Sequence, residues 1–370
     1  LVVPSEFSKW VFENTKYDMQ DQQGQTMSVG CGAPVKVVHY PVTSLEKDDN
    51  FSIDLENDFN FLMVAQWGIR KNIPSTIQWF IEEFGNEEVG LVIKSNTAKN
   101  SYMDRMNTKN NLESVLEQLD YENKKCSVYL LHGDLTREEM NSLYTHPKIK
   151  AFITATHGEG YGLPIFEAAL NELPIVAPGW SGHLDFLYGD IKDKKGKVKK
   201  KPLFSRVDYN LRHVPKEAVW KDIIVQDSMW CYPNPSDFKR KIRNVYRDNG
   251  MYKSWAKKLK KTIVQNHDLA KIKNKMLEAL IPSGILRDPE YIYVSDMFAS
   301  QYAGGAELSI QAIMEKSPVQ DIGAVNSQLL NTDIIKKHKK AKWVFGNIAS
   351  MPIEIFEAIK RYELDYSIIE

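Results

Sequence analysis

Two glutamates, Glu159 and Glu167, stand eight residues apart in the stretch Thr156-His-Gly-Glu-Gly-Tyr-Gly-Leu-Pro-Ile-Phe-Glu-Ala-Ala-Leu170. Gly160, Gly162 and Pro164 lie between them. A strand is expected just before, at 151–154, and a helix from near Leu163. The segment therefore reads as a tight turn feeding a helix N-terminus, with one acid on the turn and the other in the first helical turns. The free N–H groups and the dipole at such a helix start attract anions. An acid beside it can take the paired hydroxyls of a ribose or a sugar, so these residue types imply capture of a nucleotide-sugar. A plain Gly-rich turn with two solvated acids would leave Gly160, Gly162, the choice of Glu twice and the Leu-Pro step unexplained.

The elements that must position these acids follow from periodicity. Short apolar runs at 61–65, 89–93, 127–131, 151–154 and 174–177 read as buried strands. They alternate with helical spacing at 73–84, where Ile73, Ile77, Phe80, Ile81 and Phe84 share a face, at 112–119, and at 137–144 behind a Thr136–Glu139 capping box. Alternating strands and helices predict an α/β fold with a doubly wound parallel sheet, whose ligands sit at the carboxyl ends of the strands. Residues 236–280 read as helical and basic, 48–58 as an acidic linker, 20–32 as a polar loop, and the lysine-rich 192–201 as an exposed hairpin or loop. Earlier, a strand is expected at 1–4, a helix at 7–14 and a strand at 35–38. After Pro282 the pattern restarts, with strands expected at 291–294, 322–325, 342–345 and 364–369, and a helix opened by Gly304-Gly-Ala-Glu307.

Composition narrows the class. The chain has 370 residues, a formal net charge of zero, 43% apolar and 26% charged residues, which suits a globular protein of more than one domain and gives no global attraction for nucleic acid. Cys31, Cys126 and Cys231 are widely spaced and read as reduced thiols of a cytoplasmic protein. Membrane association is left open by these features but is not indicated. The chain begins at Leu1, as if a strand were already under way, and is expected to be a piece of a longer protein.

Glu159-Gly-Tyr-Gly-Leu-Pro-Ile-Phe-Glu-Ala168 resembles the donor-binding segment of the GT-B glycosyltransferases, specifically glycosyltransferase family 4, which reads E-G-F/W-G-L-P-x-x-E-A. The resemblance implies that Glu159 contacts hydroxyls of the transferred sugar. Tyr161, Gly162 and Leu163 would approach the sugar and diphosphate through backbone, and Glu167 would hold the ribose. Val64-Ala-Gln-Trp-Gly-Ile-Arg-Lys-Asn72 is similar to the family's diphosphate clamp. Lys71-Asn72 matches its second element, while Gln66 stands where the first arginine is usual and Arg70 is positioned to supply that charge. Gly179-Trp-Ser-Gly-His-Leu-Asp185 matches the small-residue loop that faces the donor, giving Ser181, Gly182 and His183 as contacts. Pro4-Ser-Glu-Phe-Ser8 and residues 35–42 resemble the junction between the two Rossmann-like halves.

The family implies a retaining transfer from a UDP- or GDP-sugar to a glycan or other hydroxyl acceptor. No D-x-D stands at a strand end and no histidines show ligand spacing, so a metal-independent reaction without a cofactor is expected. Glu159, Lys71 and Arg70 are the expected catalytic set. The alternative is a module that binds a nucleotide-sugar or glycan without turnover. The organisation implied is the end of an acceptor-side Rossmann-like domain at 1–45, a complete donor domain at 46–282, and a partial Rossmann-like domain at 283–370. That last segment is either the start of a second glycosyltransferase or a completion of the first half.

Overall fold

The computed structural model describes the whole chain except residues 21–24, 193–195, 222, 281–289, 297–321, 347–351 and 370. The chain divides into two compact units, Leu1–Lys273 and Asn274–Glu370.

The first unit is built on a six-stranded sheet. Its strands are β1 (Asn60–Val64), β2 (Gly90–Lys94), β3 (Ser127–Leu131), β4 (Ile149–Ile153), β5 (Ile175–Pro178) and β6 (Ser205–Val207). They lie in the order β6-β5-β4-β1-β2-β3, and every neighbouring pair is parallel. The helices are α1 (Ile73–Phe84), α2 (Tyr102–Glu117), α3 (Arg137–Tyr144), α4 (Leu163–Leu170), α5 (Pro235–Arg247) and α6 (Asn249–Asn266). Successive residues along each strand send their side chains to opposite faces. Phe61, Met63, Leu91, Ile93, Ala151, Ile153 and Val176 pack with the apolar stripes of α1 and α5. Their sequence neighbours Leu62, Val92, Phe152 and Ile175 pack with Tyr144, Ile165, Phe166, Leu259 and Ile263 on the other face. Both faces are covered, which is why the strands read as unbroken apolar runs. Each fully buried Ile or Phe contributes about 1.5–3 kcal/mol. The capping box of α3 is present, with Thr136 and Glu139 exchanging side-chain and backbone bonds.

From β1 the chain steps outward through β2 to β3, then returns to the other side of β1 for β4, β5 and β6. The reversal opens a crevice at the carboxyl ends of β1 and β4, where ligands of such sheets bind.

Some expectations are corrected. Residues 16–30 form an antiparallel hairpin, Lys16–Gln20 against Thr26–Gly30, rather than a loop, so far as they are described. Helix α2 begins ten residues before the expected 112. Its first turns bury only the polar Asp104 and Thr108, and it is started by the Ser101 N-cap rather than by an apolar stripe. Strand β6 and a second hairpin, Tyr209–His213 against Met229–Pro233, were not anticipated. Strand β6 has three residues, too few to show a period. The lysine-rich segment takes one of its two expected forms, a hairpin of Tyr188–Lys192 with Val198–Pro202.

The second unit carries a four-stranded parallel sheet ordered Ile322–Asn326, Tyr291–Ser295, Lys342–Gly346, Tyr366–Ile369. Trp343, Phe345 and Ile292 pack there with Ile335 and Ile359 from helices Thr332–Lys337 and Ile353–Arg361. Neither helix was expected. The Gly304–Glu307 turn lies outside the described residues.

Candidate active site at the glutamate loop

The loop after β4 and the loop after β1 meet over the crevice. Residues Ile69–Lys71 form a single 3-10 turn, closed by Asn72 in the left-handed region at φ 53°. Asn72 Nδ2 donates to the Ala155 carbonyl at 3.1 Å, and the His157 N–H donates to the Arg70 carbonyl at 2.8 Å. These bonds aim Arg70 and Lys71 at Glu159. Lys71 Nζ donates to both carboxylate oxygens, at 2.7 and 2.8 Å, and Arg70 Nη1 donates to one at 3.1 Å. Arg70 also donates to the Gly158 carbonyl. Thr156 Oγ1 completes the shell at 2.9 Å. Glu159 is only 9% exposed. Burial alone would push its carboxyl up, but the charges of Lys71 and Arg70, with the bonds from Lys71 and Thr156, hold it below the usual carboxylate range.

The loop after β5 supports the other side. The Glu159 N–H donates to Ser181 Oγ at 2.8 Å, and the Gly182 N–H donates to the Glu159 carbonyl at 2.9 Å. His183 Nε2 donates to the Pro178 carbonyl at 2.8 Å, which leaves Nδ1 as the acceptor for the Ser181 hydroxyl. His183 is fully buried and burial holds its pKa down, so it orients Ser181 as a neutral ring. A Cβ on Gly182 would stand 2.0 Å from the Gly160 carbonyl oxygen, so only glycine permits this approach. Gly162 caps α4 at φ 89°, the left-handed region, and turns the chain from the acid into the helix.

The expected residues thus divide. Arg70, Lys71, Glu159, Ser181, Gly182 and His183 form one bonded cluster, with Gly162 against His183. Leu163 is exposed at the helix start. The Tyr161 ring is buried in the core between Phe166 and Phe186, which leaves only its backbone on the crevice side of the loop. Glu167 belongs to a separate contact: the buried Tyr144 hydroxyl donates to it at 3.0 Å, and burial raises its carboxyl pKa. Gln66 does not join the cation pair; its amide donates to the Thr97 carbonyl at 2.9 Å. On the β2 and β3 side of the crevice, His132 bonds Asp104 at 2.9 Å and holds its carboxyl at about 2.

Three contributors were missed from sequence. Thr156 is part of the quoted motif, and its hydroxyl ligates the acid. Ser5 Oγ donates to the Gly160 carbonyl at 2.6 Å while capping helix Glu6–Asn14, which fixes the outer side of the loop. The hairpin Tyr209–Pro233 lies against the loop through a reciprocal pair: the Cys231 N–H donates to the His157 carbonyl at 3.0 Å, and His157 Nδ1 donates to the Cys231 carbonyl at 2.6 Å. His157 stacks on Trp230 at 5.5 Å. Burial pushes the Cys231 thiol up to about 12, so it is an inert packing group here. A cavity of about 280 Å³ lies over Glu159 and Arg70, walled by Phe7, Trp180, Ile224 and Trp230. A second, of about 320 Å³, lies beside Lys71 between Trp67 and Ala218.

Among the described residues no group of three or more His, Cys, Asp or Glu could hold a metal ion, and no helix is long and apolar enough to cross a membrane.

The first unit is a doubly wound α/β scaffold with a charged crevice where its strand order reverses. Comparison sharpens this. The chain is similar to the Anabaena protein HepE, solved in complex with UDP and glucose, with 14% identity and a TM-score of 0.50 over 75% of this chain and 62% of that one. It also aligns with a glycosyltransferase from Rickettsia africae, with 13% identity and a TM-score of 0.49 over 75% and 62% of the two chains. The fold is that of the GT-B glycosyltransferases. The chain spans less than two thirds of the length of either protein. No protein-family model matches the sequence, and no curated protein matches it.

Proposed function

We propose that residues 46–282 form the donor half of a retaining, metal-independent glycosyltransferase that takes its sugar from a nucleoside diphosphate. The observation that carries this reading is the convergence of Lys71 and Arg70 on Glu159 beside the start of α4. Two cations, a helix N-terminus and a carboxylate in one crevice match the parts of such a donor: a diphosphate to be neutralised and a sugar to be oriented. HepE was solved with UDP and glucose, which supports a donor of that class.

In the reaction proposed, the bond between the sugar's anomeric carbon and the diphosphate oxygen breaks while an acceptor hydroxyl attacks on the same face. The departing phosphate oxygen takes the hydroxyl proton. Negative charge grows on the diphosphate, and Lys71, Arg70 and the α4 N-terminus stabilise it. Glu159 holds sugar hydroxyls, and Glu167 holds those of the ribose. Neither acts as a nucleophile. Glu159 is paired with both cations. Donor binding therefore exchanges one anion for another, and the carboxylate released from Lys71 becomes free to accept from the sugar.

A thermal-shift panel of nucleoside diphosphates and nucleotide-sugars tests the binding. A rise in Tm with one base family is expected, and no shift with any of them would sink the proposal. Binding without transfer to any acceptor by the full-length protein would favour a module that binds without turnover.

A further inference from the structure

A cavity of about 450 Å³ opens at the opposite end of the sheet, where β4 and β5 begin. Its lining includes Lys47, Lys150, Lys253, Lys260 and His146, and the one carboxylate among its lining residues is Glu172. Four lysine charges against one carboxylate leave a formal excess of three. Lys150, Lys253 and Lys260 are half-buried. Two of these ammonium groups are tethered in place: Lys253 donates to the Glu172 carbonyl at 2.9 Å, and Lys260 pairs with the Glu172 carboxylate at 3.2 Å. Glu172 itself sits at φ 60°, in the left-handed region. Asn249, the first residue of the 18-residue α6, lies in the same wall, beside the Asp248 cap whose carboxylate accepts from the Met251 N–H.

Lysines on a merely solvated face spread into water. These instead crowd together. Burial, opposed by Glu172, and the charges of Lys257, Lys260 and Lys150 all act on Lys253, with the net effect of lowering its pKa. His146 is likewise held down by burial and by Lys148 and Lys150. Like charges gathered around a cavity repel one another until an anion neutralises them.

We propose that this cavity is a binding site for a small multiply charged anion bearing phosphoryl groups, separate from the donor crevice. The ammonium groups act as point charges suited to phosphate oxygens. The proposal does not depend on the donor reading, because the two sites lie at opposite ends of β4.

Lysine acetylation footprinting of the full chain with pyrophosphate as probe, at low ionic strength, tests it. Modification of Lys150, Lys253 and Lys260 should slow at least tenfold, while exposed Lys99 and Lys275 react as before. Unchanged rates at the three lysines, or a uniform slowing across the surface, would overturn it. Calorimetric titration of a Lys150→Ala/Lys253→Ala variant that melts like the parent should show the cavity's affinity reduced at least tenfold, with Lys253→Arg restoring it. Parent-like binding in the double variant would equally overturn the proposal. Protection at these lysines without protection at Lys71 would sink the donor reading and leave this one standing.

Discussion

Lys71 and Glu159 are 88 residues apart in sequence, yet one ammonium bonds both oxygens of the carboxylate, at 2.7 and 2.8 Å. The pair bridges β1 and β4 across the point where the sheet reverses direction. It also makes the acid and the incoming diphosphate competitors for one cation.

That competition gives the first prediction. Glu159→Gln should bind nucleoside diphosphate several-fold more tightly, because Lys71 and Arg70 no longer hold a carboxylate, while transfer falls about ten- to a hundredfold. Charged hydrogen bonds of about 1.5–3 kcal/mol set that scale. Calorimetry with the diphosphate and a turnover assay on the full-length protein read the two effects. Parallel losses in both would refute the exchange.

Removing the cation instead exposes the cost of a stranded charge. Lys71→Met leaves the nearly buried Glu159 with Arg70 and Thr156 alone, and should destabilise the fold by about 2–3 kcal/mol. Adding Glu159→Gln should recover part of that loss, since no buried charge then lacks its partner. Urea unfolding of the single and double variants measures the coupling, and strict additivity would contradict it.

The two glutamates should respond to pH with opposite signs. The lowered pKa of Glu159 means that its pairing stabilises the fold at and above the ordinary carboxylate range, and that this is lost as pH falls through its folded value. Glu167 is raised, so its favourable contribution is present below the ordinary range and disappears as pH rises through its folded value. Glu167→Gln should therefore raise Tm at pH 7 and leave it nearly unchanged near pH 3.5. A larger gain in acid would reverse the assignment.

The approach of two loops can be tested at a single atom. A methyl group on Gly182 would collide with the Gly160 backbone, so Gly182→Ala should cost about 3 kcal/mol or more and lower the affinity for any donor. Gly160→Ala meets nothing within 4 Å and serves as the control. Equal unfolding midpoints for the two variants would count against the close packing described.

Much of this was legible in the sequence because the signals were local. Helix α1 and strand β3 lie at their expected bounds, since an apolar face of 3.6 period and a short run such as Val128-Tyr-Leu-Leu131 need no distant partner to be read. The carboxylates were legible through residue types and glycine spacing. What was not legible depended on contacts between distant segments. Ser5 reaches Gly160 across 155 positions, and nothing around Ser5 announces that bond. Strand β6 is too short for a pattern and exists because β5 offers it an edge. The hairpin Tyr209–Pro233 alternates weakly, with exposed Leu211 and Met229 among its apolar residues, so periodicity gave no warning that it would wall the crevice.

The reciprocal pair of bonds between His157 and Cys231, one from backbone and one from the imidazole, has a consequence for folding. It closes a loop of 74 residues, so chain entropy delays it relative to the local helices and neighbouring strand pairs. The glutamate loop thus depends for its final shape on a hairpin that follows β5 and β6 in the chain. A polypeptide ending before Cys231 would contain every residue of the glutamate motif and still lack the strand against which that motif is set.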